Sequence, residues 1–186
     1  MLKVKPNPLD EDTIIRCLGG LMYRIYQIHW VTFFIINEVL PKYYVENALL
    51  ESLLVHCRVI NEFFKKPMEY EKNAKKKPKI KEYRADSFCA THCMSDDEYI
   101  ELYNKLSNQN LFLTKKELKA INVQLLHSSS DEPIFKEWRP AISNNKAVKA
   151  FRLFVQYPSV KNLIKQNPRW TRKDYADLVN FLESQP

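Results

Sequence analysis

Two stretches of this sequence place groups capable of acid–base and phosphate chemistry at helical spacing. The first runs Asn47-Ala-Leu-Leu-Glu51-Ser-Leu-Leu-Val-His56-Cys-Arg58-Val-Ile-Asn61. Residues seven apart share a helix face, so Glu51 and Arg58 lie together, and Asn47 and Asn61 fall on the same edge. The polar strip they form beside an apolar stripe has two readings: a structural Glu51–Arg58 pair between helices, or a charged, hydrogen-bonding groove. The second stretch is Ala120-Ile121-Asn122-Val123-Gln124-Leu125-Leu126-His127, running into Ser128, Ser129 and Ser130. A protonated histidine at a helix C-terminus is favoured by the helix dipole. With a pKa near neutrality and a polar loop beside it, His127 is equally suited to act as a general base.

A third cluster, Cys89-Ala-Thr-His92-Cys93, gathers two thiols and an imidazole, but a closed zinc site needs four ligands at defined spacing and no second pair accompanies it. The reading is no metal, with the cysteines buried as small hydrophobes. No cofactor is expected either. Only 2 glycines, Gly19 and Gly20, occur in 186 residues, so the Gly-rich loops that cradle nucleotide phosphates are missing.

The net charge of +7 is unevenly spread. One basic segment extends from Lys65 to Arg84 and includes Lys75, Lys76, Lys77, Lys79 and Lys81; a second extends from Ile134 to the end and includes Arg169, Trp170, Arg172 and Lys173. Such segments suit a polyanion such as RNA through counterion release, with Trp170 available to stack on a base. The plainer reading of the first is a solvated linker, because Lys-rich sequence containing Pro67 and Pro78 buries too little apolar surface to order itself.

These groups need helices to hold them. Ile14, Leu18, Leu21, Ile25, Ile28, Thr32, Ile35, Ile36 and Val39 recur every three or four residues, predicting a long helix from Asp10, its cap, to Val39. A second helix from about Lys42 to Lys66 carries Val45, Leu49, Leu50, Leu53, Leu54, Cys57, Ile60 and Phe64 inward, and the short connection at Pro41 makes the pair an antiparallel hairpin. The basic insert is then assigned to 67–95. A short helix follows from Asp96 to Leu106, and Thr114 with Glu117 makes a capping box that opens another, ending near His127. Pro133, Pro140, Pro158 and Pro168 divide the rest into three or four shorter helices, where Phe151 and Phe154 read as core. No segment alternates as a strand would. The expectation is one all-α domain over 1–186: an antiparallel bundle with a mobile basic insert and short C-terminal helices.

Leu21 to Leu40 is the most apolar stretch, but Arg24, Gln27, His29, Asn37 and Glu38 interrupt it, so it reads as a buried core helix and no membrane partner is expected. The chain opens without a secretory-signal pattern, and its four cysteines are expected to stay reduced in the cytoplasm.

The Glu51, His-x-Arg and double-Phe pattern of the first stretch, with the Asn122-to-His127 helix after a variable insert, resembles divergent members of the HEPN superfamily, over roughly Val45 to Asp131. These are four- and five-helix proteins found among toxins, phage-defence factors and RNA-processing enzymes. The resemblance implies RNA association, a homodimer and a ribonuclease centre in which His127 would be the base toward a ribose 2′-OH. Active members carry an Arg before that His, separated by four to six residues. Here those positions are Asn122, Ile121 and Ala120, so Arg58 from the other helix would have to stabilise the phosphate charge. The alternative is a non-enzymatic helical module that binds an acidic protein or a nucleic-acid backbone.

Overall fold

A computed structural model of the chain describes residues 9–36, 44–74, 88–126 and 140–168, together with residues 173, 176, 177 and 180. Among them six α-helices and one 3₁₀ turn occur and no strand does: α1 (Glu11–Ile36), α2 (Tyr44–Ala74), the turn (Ala90–His92), α3 (Asp96–Asn108), α4 (Lys115–Leu126), α5 (Pro140–Val155) and α6 (Pro158–Gln166). The all-α bundle expected from the periodicity is what forms.

Local chemistry starts the helices where the sequence says it should. Asp10 caps α1 by accepting the Thr13 N–H at 2.8 Å. At α4 the capping box is complete: Thr114 N–H donates to Glu117 Oε2 at 2.6 Å, and Glu117 N–H donates to Thr114 Oγ1 at 3.2 Å. A second box, Ser95 with Glu98, starts α3. Its Ser-x-x-Glu signature was as readable as that of Thr114.

α1 lies against α2 and α5, α2 against α4 and α5, and α6 closes against α1 and α5. The core between them is built from Leu18, Met22, Ile25 and Ile28 of α1, Leu53, Leu54, Ile60 and Phe64 of α2, and Phe151 and Phe154 of α5, all buried as their spacing requires. Phe154 meets Phe63 and Phe64 edge-on at 5.3 and 5.4 Å between ring centres, the arrangement that aromatic quadrupoles favour. Asn167, itself buried, donates to the Ile15 carbonyl at 2.7 Å and ties the end of α6 back to α1.

Two expectations are corrected. α2 does not stop at Lys66; it continues through Pro67 to Ala74. A proline inside a helix leaves the carbonyl four residues earlier without its usual donor. Here the next rung is bridged from outside, since the Tyr99 hydroxyl donates to the Phe64 carbonyl at 2.8 Å and accepts from Met68 N–H at 3.2 Å. The far end of the assigned insert is also packed: Cys89, Ala90, Cys93 and Met94 are buried. The insert therefore shrinks to 75–87, which lies outside the described residues. Secondly, α1 is not buried all round. Tyr23, Trp30 and Phe33 are exposed on the face away from α2 and α5, with Trp30 in edge contact with Tyr26 and Phe33.

Candidate functional site

The polar strip of α2 resolves into separate jobs. Arg58 Nε donates to Glu62 Oε1 at 3.0 Å, one turn along the same helix, rather than to Glu51. Both partners are more than two-fifths exposed, so the pair is a solvated one. Glu51 is half-buried on α2. Asn61 is buried, and its Oδ1 accepts the Leu113 N–H at 2.8 Å, pinning the segment between α3 and α4 onto α2. That bond commits the amide oxygen of Asn61 to the fold.

Asn122 lies on α4, with its side chain outside the described residues, and His127 follows the last described residue of that helix. Lys75, Lys76, Lys77, Lys79 and Lys81 of the insert, and Arg169, Trp170 and Arg172, also lie outside. Lys173 is helical and exposed. Of the expected nuclease set, the described residues bring together only the helices: α4 packs on α2.

A network absent from the sequence reading sits between α1 and α2. Arg24 Nη1 is 3.1 Å from His56 Nδ1, and Ser52 Oγ is 3.2 Å from His56 Nε2. A guanidinium can only donate, so Nδ1 is the unprotonated nitrogen and Nε2–H donates to Ser52. Burial, reinforced by the Arg24 charge, holds the His56 pKa below its ordinary value and keeps the ring neutral. This tautomer cannot take a proton from Ser52, so the Ser–His pair is not a nucleophile and its base. Ser52 and His56 are legible as neighbours one turn apart, whereas Arg24, 32 residues before His56, carries no local signal.

The cysteine cluster is knit together by local contacts. His92 Nδ1 accepts the Cys89 N–H at 3.2 Å inside the 3₁₀ turn, and its ring stacks on Phe88. Burial pushes the Cys57 thiol up to about 12 and that of Cys93 higher still. Among the described residues no three His, Cys, Asp or Glu side chains converge as metal ligands, and all four cysteines are free thiols.

Charge is sorted by helix. α3 holds Asp96, Asp97, Glu98 and Glu101 against Lys105 alone. α5 and α6 hold Lys146, Lys149, Arg152, Lys161 and Lys165 with no acidic residue, and α4 adds Lys115, Lys116 and Lys119. The acid of α4, Glu117, is taken up internally by Lys146 at 2.8 Å. Burial pushes the Glu117 carboxyl up, but Lys146 and Thr114 outweigh it and hold the pKa below the ordinary carboxylate value. Lys115, Lys119, Lys149 and Lys165 are exposed.

No described helix is long and apolar enough to cross a membrane. No family model, curated protein or solved structure matches the chain.

Proposed function

We propose that this protein is an RNA-associated helical module that holds the nucleic-acid backbone on the cationic flank formed by α4, α5 and α6. The observation that carries this reading is the sorting of charge: besides Lys146, which is paired with Glu117 of α4, α5 and α6 carry Lys149, Arg152, Lys161 and Lys165 and no acidic residue. Lysines on a solvated surface bind phosphates through counterion release, giving affinity with little sequence preference. The Arg169–Lys173 segment, which follows α6 in sequence, and the insert lysines ahead of α3 add further positive charge. The module works in the cytoplasm in this reading, where its thiols stay reduced.

The ribonuclease reading that follows from the HEPN resemblance, in a toxin or phage-defence setting and as a homodimer, keeps one support. α4, whose chain continues into His127, packs on the helix that carries Arg58. Purified wild-type and His127→Ala proteins, each measured for RNA binding and RNA cleavage, separate the two readings. The module reading expects both proteins to bind equally and neither to cleave. Cleavage by wild type that disappears in His127→Ala without loss of binding would establish the nuclease instead. Failure of both proteins to bind RNA at low salt would remove the RNA reading altogether.

A further inference from the structure

A cleft of about 300 Å³ opens between α1 and α2, walled by Leu21, Val59, Phe63 and Phe88, with Arg24, Glu62 and Lys66 at its polar edge. Its volume is at the lower end of the range typical of small-molecule sites, and its lining combines apolar walls with a few polar groups, as such sites do. The charges at its edge are not equivalent. Glu62 is already matched by Arg58 at 3.0 Å, with Lys66 at 4.0 Å on its other oxygen. Arg24 has a neutral partner: the imidazole of His56 accepts one of its five N–H groups, and among the described residues no carboxylate pairs with it. A half-buried guanidinium held by a neutral acceptor beside an apolar wall is a cation whose desolvation is not offset by an opposite charge.

Gly20 locates the unfilled space along α1. It lines the same cleft, and a Cβ built on it would meet no atom within 4 Å. Glycine in a helix interior costs about 1 kcal/mol relative to alanine, and no close backbone approach here requires it. The space above it is open to a ligand.

We infer that this cleft binds a small amphiphilic carboxylate, with its carboxylate on Arg24 and its apolar body over Gly20 against Leu21, Phe63 and Phe88. A planar carboxylate matches the guanidinium fork, and charge-assisted bonds of this kind are the strong ones. The inference is independent of the RNA reading, since none of these residues belongs to the cationic flank.

The probe is sodium octanoate, titrated calorimetrically into the full chain, with octanamide as the uncharged analogue of the same shape. Octanoate should bind wild type, and octanamide should bind about tenfold more weakly, as expected when a charge-assisted bond is lost. Arg24→Gln should weaken octanoate by a similar factor and abolish its preference over octanamide. Because that change also removes the donor to His56, Gly20→Leu provides the second arm. Leucine places its side chain in the cleft, improves helix propensity and leaves the Arg24 guanidinium chemically intact, so it should keep or raise Tm while eliminating octanoate binding. Alkylation of Cys17, which lines the cleft and is the one cysteine not buried, should slow when octanoate is added to wild type and not in Gly20→Leu. Absence of octanoate binding to wild type, equal affinity for octanamide, or unchanged binding in a folded Gly20→Leu protein would each overturn the assignment.

Discussion

The buried interior of the bundle and the exposed lysines of α4 to α6 handle polar groups in opposite ways. In the interior several polar groups have a designated partner: Asn61 with Leu113 N–H, Tyr99 with both Phe64 C=O and Met68 N–H, and His56 between Arg24 and Ser52. Removing one member leaves the other desolvated and unmatched, so single changes cost folding free energy. On the flank the exposed lysines face water, and each contributes little to stability. Their effect appears when a polyanion arrives and phosphate contacts accumulate. The lesson is that the same residue types serve the fold where they are counted one by one and serve recognition where they act as a sum.

The contrast can be broken most readily at Tyr99. Tyr99→Phe keeps the ring and removes the hydroxyl that bridges α2 beside Pro67, leaving a buried carbonyl and N–H to find each other across the proline turn. Chemical denaturation should show a loss of about 2 kcal/mol, with RNA affinity unchanged. A neutral result would mean that α2 closes its own ladder and that the interior is less dependent on single partners than its geometry indicates.

A smaller effect is expected with pH. The folded pKa values of His56 and His29 are lowered by burial, so protonation favours the unfolded chain. Their contribution is fully present above the unfolded value of about 6.5 and is lost as pH falls from there through the folded values. Thermal melts across that window should show declining stability, and His56→Gln should flatten the decline. An identical pH profile for the variant would remove His56 from the account. Smallest of all is Arg58→Ala, which breaks a solvated pair and should cost less than about 1 kcal/mol. A larger loss would place Arg58 among the interior groups.

Legibility in the sequence followed the range of each interaction. Helix caps at Asp10 and Thr114 and the core positions Leu18, Ile25, Leu53 and Phe154 were readable because i,i+3 and i,i+4 spacing is local. The passage of α2 through Pro67 was not, because the group that bridges the ladder, Tyr99, lies 31 residues beyond Met68. Glu51 and Arg58 share a face but are two turns apart, and Glu62, one turn from Arg58, is the nearer carboxylate along the helix. Tertiary placement likewise decided Asn61, whose helical position gave no hint of the Leu113 N–H waiting opposite. The Arg24–His56 contact that orients the cleft crosses from one helix to another and has no sequence signature.

If the α4–α6 flank holds RNA by its backbone, RNA affinity must depend steeply on salt. Wild type and a Lys115→Glu, Lys119→Glu, Lys149→Glu, Lys165→Glu variant would be compared on one single-stranded RNA across a salt series. For single strands log K falls with log salt by about 0.7 for each phosphate neutralised. Wild type should show a steep line, and the variant a clearly shallower one with an affinity lower by about a hundredfold at low salt and Tm nearly unchanged. Equal slopes and affinities for two equally folded proteins would contradict it.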